Sequence, residues 1–210
     1  MSKHYNAAHV WGRIAEVPTE RKSLEGKGAP YLRLKVNCYC PEYGNVLAYG
    51  NLWGRKKINE CLEAYQLHPN QVFKFSGFVS QVPETQEHGR YTNFTFIGCE
   101  SVEGAKPRAV FILVGEVTGI EGDKLALHLA REMKPRKEGD EPKIQEEDFD
   151  LYLLDPRAAN GITAGDVVEV KGKLRAKDGE DEYGSNSSPV RPYVEKIEVR
   201  VDKKGPWDKG

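Results

Sequence analysis

Aromatic and basic side chains are interleaved in the first half of the sequence. Trp53 is followed, after one glycine, by Arg55, Lys56 and Lys57. An exposed aromatic ring offers a face on which a nucleobase can stack, and Lys and Arg attract phosphates. This combination predicts contacts with a single nucleic-acid strand. The alternative is that Trp53 is a core residue that caps the following helix.

Further candidates share these two chemistries. Arg33 and Lys35 alternate with apolar neighbours, which predicts that they project from the solvent face of a strand, although an ordinary solvated face has the same pattern. Tyr39, Tyr43 and Tyr49 surround a predicted turn, which is typical of a stacking loop or of a protein interface. Trp11 on the first predicted strand is a further candidate, although it could equally be buried. The last candidates are the cations of the following loop: Arg21, Lys22 and Lys27.

The elements that position these residues are predicted to be strands. Apolar and polar residues alternate at 31–36, 94–96, 168–171 and 196–201, as expected of strands with one face on a core. One further strand is predicted at 72–77, and both this strand and the one that contains 168–171, at 167–172, are predicted to end in a glycine. The phenylalanines of these alternating segments are predicted to be core residues: Phe73, Phe75, Phe94 and Phe96.

Two helices are predicted among the strands. Ile58, Cys61, Leu62 and Tyr65 recur at helical spacing after Trp53, and residues 68–70, with a central proline, end the stripe. A shorter helix is predicted at 156–160, where a proline suits the first turn.

The same order of elements occurs twice, which predicts two tandem domains. Each half reads as five strands with a helix between the third and the fourth, which is the element order of the OB-fold, a five-stranded Greek-key barrel. The predicted class is therefore all-β, with one barrel over residues 1–104 and a second over 105–210. A single larger barrel is the competitor, but it does not explain a helix in the middle of each half.

Charge and aromatic content differ between the halves. The chain has 210 residues and a net charge of -1. Residues 1–104 contain 12 Lys+Arg, 10 Asp+Glu and 14 aromatics, whereas residues 105–210 contain 19, 22 and 6. Nucleic-acid binding is therefore predicted for the first barrel, and oligomerisation or partner docking for the second. The acidic stretch 138–150 is predicted to be a solvated loop, or alternatively a partner surface or a mimic of nucleic acid that repels DNA.

Other kinds of chemistry find little support in the sequence. The four cysteines fit no structural-zinc spacing, so no metal and no cofactor is predicted. The sequence contains no phosphate-binding glycine loop and no protease or hydrolase motif, so no enzyme is predicted. An apolar run of 18 residues is missing, which argues against a membrane span, and the start of the chain does not resemble a secretory signal.

Three segments of the first half resemble the bacterial single-stranded-DNA-binding protein family. Residues 11–14 (WGRI) are similar to its first-strand motif, and residues 52–55 (LWGR) to its motif before the helix. Residues 72–77 (VFKFSG) with 89–92 (GRYT) are similar to its last two strands. In the second half the match is carried by residues 165–172 (GDVVEVKG).

This resemblance implies two OB-folds that bind single-stranded DNA without sequence preference, in replication, recombination or repair. It also implies that Trp53 stacks on bases. Members of the family commonly assemble four OB-folds, so a homodimer is expected, in the bacterial cytoplasm or a phage-infected cell. Residues 203–210 lack the family's acidic tail, so replication or repair proteins are expected to dock elsewhere, or the protein to serve a phage or mobile element.

Two alternatives stay open at the level of sequence. OB-folds can act as protein-interaction modules within a replication, repair or conjugation complex, with little affinity for DNA. The same barrel face can also bind RNA.

Overall fold

The computed structural model describes residues 4–22, 28–39, 46–82, 91–133, 141–176 and 190–200. Within these ranges the chain forms eleven strands, one α-helix and one short 3-10 helix. The expected all-β class is confirmed.

Five strands close the first barrel. Their hydrogen-bonded order is β1-β5-β6-β4-β3, and β3 returns to β1. The β4–β6 pair is parallel and the other pairs of the barrel are antiparallel, which is the arrangement of an OB-fold. A short strand, β2, pairs with the outer edge of β3. The bounds are β1 Tyr5–Ile14, β2 Thr19–Lys22, β3 Pro30–Asn37, β4 Leu47–Trp53, β5 Phe73–Val82 and β6 Tyr91–Ser101.

The alternating side chains of these strands meet in an apolar core. The four phenylalanines predicted to be core residues are each at most 1% exposed, so this prediction is confirmed. Helix α1, Arg55–Leu67, lies between β4 and β5 in sequence and buries Ile58 and Cys61. The helical stripe read from the sequence therefore identifies the packed face of α1.

The second barrel repeats this arrangement. Its order is β10-β11-β9-β8-β7, with β10 returning to β7 and with β11 parallel to β9. The 3-10 helix Pro156–Ala159 lies between β9 and β10 in sequence. The Asp155 carboxylate caps it by accepting a hydrogen bond from the Arg157 backbone N–H. The strands are β7 Arg108–Glu121, β8 Lys124–Met133, β9 Lys143–Leu153, β10 Val167–Ala176 and β11 Val190–Val199.

The structure corrects two predictions about strand limits. Most of the acidic stretch predicted as a loop is strand β9, because Phe149, Leu151 and Leu153 alternate into the core while Asp148 and Asp150 take the alternate positions beside Phe149. Strands β5 and β10 do not end at their glycines, but continue to Val82 and Ala176. In β5, Gly77 lies at a β-bulge, where the strand changes register without ending.

Residue contacts divide the chain into two compact units. One unit comprises Ala7–Phe111 and Lys173–Pro192, and the other comprises Met1–Asn6, Ile112–Gly172 and Tyr193–Gly210. Because these units divide β7, β10 and β11, they do not coincide with the two barrels defined by strand pairing, and a domain boundary after residue 104 stays a prediction.

Candidate nucleic-acid interface

The solvent face of β3 and β4 carries aromatic and polar side chains in rows set by the strand register. Because paired residues on neighbouring strands point to the same side of a sheet, each row crosses several strands. In the first row Tyr31 of β3 lies opposite Trp53 of β4 and opposite Arg21 of β2. The Tyr31 and Trp53 ring centroids are 4.9 Å apart, with the rings inclined at 33°. Two adjacent, half-buried rings therefore form an aromatic platform beside an exposed guanidinium.

The second row is polar. Arg33 of β3 lies opposite Asn51 of β4 and Thr19 of β2, and Thr95 of β6 extends the row beyond Asn51. Arg33 is exposed. It has no ion-pair partner among the described residues.

The third row joins Lys35 of β3 to Tyr49 of β4. The Lys35 ammonium lies 5.9 Å from the centre of the Tyr49 ring, and 2.5 Å from a carboxylate oxygen of Glu16. The hydrogen bond to Glu16 raises the pKa of Lys35. Successive rows are separated by two residues along a strand, about 6.6–6.8 Å. We call the three rows of Tyr31–Trp53–Arg21, Arg33–Asn51–Thr19–Thr95 and Lys35–Tyr49 the candidate face.

The three basic residues at the start of α1 form ion pairs with nearby carboxylates. Arg55 donates hydrogen bonds of 2.8 and 2.9 Å to the Glu20 carboxylate. Lys57 and Lys56 lie 2.9 and 3.9 Å from the Glu60 carboxylate oxygens. Glu20 is opposite Leu32, which is buried, so Glu20 points to the side of the β2–β3 ribbon away from the candidate face. The structure therefore does not bring Arg55 into the rows, although it follows Trp53 closely in sequence.

Trp11 lies on β1, outside the strands of the candidate face. It is opposite Lys74 of β5, whereas β1 pairs with β3 only at Arg13 and Ile14 in the described register. The Arg108 guanidinium lies 4.2 Å from the centre of the Trp11 ring, a cation–π contact that covers one side of the ring. Trp11 is thus not brought together with Trp53.

The remaining predicted site residues are distributed around the loops. Tyr39, 57% exposed, follows β3, and its backbone N–H donates to Asn37 Oδ1 at 2.9 Å. Lys22 is the last residue of β2. Tyr43 and Lys27 lie outside the described residues.

Sequence reasoning missed four members of the candidate face: Thr19, Tyr31, Asn51 and Thr95. Tyr31 and Asn51 were not among the predicted contacts, although Tyr31 has the same parity along β3 as Arg33 and Lys35. That shared parity is the signal that could have identified it. Asn51 becomes recognisable only from the register of β4 against β3.

The corresponding face of the second barrel has a different character. His128 of β8 lies opposite Asp148 of β9, with 2.8 Å between His128 Nδ1 and Asp148 Oδ1. The neighbouring outward positions of β9 are Glu146 and Asp150. This face carries more acidic groups than the candidate face does, but in the row beyond Asp150 it pairs Lys124 with Tyr152, whose ring centroid lies 5.8 Å from that of Tyr193.

The described residues contain no group of three or more His, Cys, Asp or Glu side chains placed to hold a metal ion. Burial raises the pKa of the Cys38 thiol, which keeps it protonated.

None of the helices in the described ranges is long and apolar enough to cross a membrane.

Comparison with known proteins gives similarity in structure but not in sequence. No protein-family model and no curated protein matches the chain. A deletion mutant of the single-stranded DNA binding protein from Thermus aquaticus is 15% identical with a TM-score of 0.59, over 99% of this chain and 100% of that chain. The wild-type Thermus aquaticus protein is 17% identical with a TM-score of 0.58, over 100% and 98%. The chain has the fold of a single-stranded DNA binding protein.

The single-stranded DNA binding protein fold confirms the resemblance drawn from the sequence motifs. Both OB-folds of this chain are included in the similarity, because the match extends over nearly the whole length of each protein. At this level of identity the similarity shows the fold alone, so the role of the candidate face is argued from its own chemistry.

Proposed function

We propose that the chain binds single-stranded DNA without sequence preference, through the candidate face of its first barrel. The observation that carries the proposal is the Tyr31–Trp53 ring pair, with Arg21 in the same row and Arg33 in the next. Stacking on aromatic rings tolerates any base, and cations beside the rings attract the phosphates. The similar Thermus aquaticus structures are of a protein named for this activity.

The proposed contacts differ in their roles. Trp53 and Tyr31 stack on bases, and Tyr49 offers a further ring. Arg33, Arg21 and Lys35 contact phosphates. The other predicted residues lie outside the rows or outside the described ranges and stay predictions: Trp11, Tyr39, Tyr43, Lys22, Lys27, Arg55, Lys56 and Lys57.

The proposal extends to cellular role and assembly. Protection of single strands during replication, recombination or repair, in a bacterium, a phage or a mobile element, is the role that this activity fits. The second barrel, whose equivalent face is acidic, serves assembly or the docking of replication or repair proteins. A homodimer would bring four OB-folds together.

A titration of labelled oligonucleotides tests the DNA-binding activity. Fluorescence anisotropy of a labelled dT oligomer is expected to show tight binding that weakens with salt. Trp53→Ala is expected to cost about 1–3 kcal/mol of binding free energy, the range for loss of one stacked base. Trp11→Ala is the comparison variant and is expected to cost less, because Arg108 already occupies one side of the Trp11 ring. Absence of single-strand binding at low salt would contradict the proposal.

A further inference from the structure

Two cations of the candidate face differ in how their charge is balanced. Arg33 has no carboxylate partner among the described residues, whereas Lys35 is held by Glu16 at 2.5 Å. Glu16 follows the end of β1, where the neighbouring Ala15 N–H donates to the Lys35 carbonyl at 2.8 Å, and its 65% exposed side chain reaches the face through the ion pair with Lys35. A phosphate that approaches Lys35 therefore meets an ammonium that already has an anionic partner.

We propose that Glu16 competes with phosphate for Lys35, and so lowers both the affinity of the candidate face for a single strand and the salt dependence of binding. This role rests on the proposed function. Binding at Lys35 requires separation of the ion pair, and it leaves the Glu16 carboxylate beside a phosphate of the same sign. Each cation that neutralises a phosphate of a single strand adds about 0.7 to the slope of log affinity against log salt. A lysine that gives up a carboxylate partner to bind a phosphate contributes less than this to the slope.

A second ion pair in the same barrel provides a matched control. Lys74 and Glu100 lie opposite each other on β5 and β6, with the same 2.5 Å separation. Their side chains are 32% and 58% exposed, compared with 29% and 65% for Lys35 and Glu16. Lys74 lies opposite Trp11 and outside the candidate face. Glu16→Gln and Glu100→Gln therefore make the same change in net charge and differ in location.

The test compares these two variants with the wild-type chain, using anisotropy of a labelled dT oligomer over a series of salt concentrations. Glu16→Gln is expected to bind about two- to fivefold more tightly at low salt, the range for one exposed ion pair, with a slope steeper by up to about 0.7. Glu100→Gln is expected to gain less than Glu16→Gln, because the Lys74–Glu100 pair lies outside the candidate face. Lys35→Ala combined with Glu16→Gln is expected to remove the gain, because the gain acts through Lys35.

Three results would overturn this role. One is unchanged or weaker binding by Glu16→Gln, and another is an equal gain in Glu100→Gln, which would reduce the effect to net charge. The third is a gain that persists in the double variant. In all three cases the wild-type chain still binds the oligomer and the proposed function stands. A wild-type chain that binds no oligomer at low salt overturns the proposed function and this role together.

Discussion

Arg33 and Lys35 project from the same side of β3, but only Lys35 has a carboxylate partner in the described part of the chain. Arg33 is therefore expected to make the larger electrostatic contribution to strand binding. Arg33→Ala is predicted to weaken binding of a dT oligomer and to reduce its salt slope by about 0.7. Lys106→Ala, which removes one exposed positive charge from the segment after β6, is the control. Equal salt slopes for the two variants would contradict the prediction.

At the same scale, the sequence predicts which residues face solvent better than it predicts their partners. Alternation along 31–36 places Arg33 and Lys35 on the exposed side of a strand, and the structure agrees. The ion pair of Arg55 with Glu20 joins residues 35 positions apart and depends on where β2 pairs with β3. Long-range register of this kind is set by tertiary packing, so local spacing does not reveal it.

At the scale of elements, the order of strands and helices was predictable and several limits were not. Helix α1 and the alternating strands follow from residue periodicity, because one face of each is buried. The continuation of β5 past Gly77 depends on the neighbouring strand. A Cβ added at Gly77 would overlap the carbonyl oxygen of Thr95 on β6, so this glycine allows two backbones to approach at the bulge. A glycine that reads as a strand end in sequence is a packing requirement in the fold.

This close approach makes Gly77→Ala a prediction about stability. The substitution is expected to lower the free energy of unfolding by about 1–3 kcal/mol, because the backbone of Thr95 has to move to admit the methyl group. Gly98→Ala on β6 of the same barrel is the control, since a Cβ there meets only the Ser76 side chain, whose hydroxyl can rotate away. Urea unfolding followed by tryptophan fluorescence measures the effect on the first barrel, whose strands carry Trp11 and Trp53. Equal stability of the two variants would be inconsistent with the bulge geometry.

At the scale of the whole molecule, one barrel carries the candidate face and the other presents acidic groups at the equivalent strands. Residues 1–104 contain 12 Lys+Arg against 10 Asp+Glu, and residues 105–210 contain 19 against 22. An anionic strand is thus expected to remain on the first barrel, because extension across the acidic face would add repulsion. A second copy of the chain would then lengthen the binding site by a second candidate face.

The chain is also predicted to form a homodimer. A homodimer doubles the number of candidate faces. Once a DNA strand has bound one face, its binding to the second face is intramolecular, and the effective concentration raises the overall affinity. Sedimentation equilibrium without DNA is expected to give twice the 23.6 kDa mass of the chain. Trp53→Ala is expected to keep this mass, because the aromatic platform is assigned to DNA and not to the partner chain. A mass of 23.6 kDa for the wild type at micromolar concentration would contradict the dimer, and a monomeric Trp53→Ala variant would place the candidate face in the interface between copies.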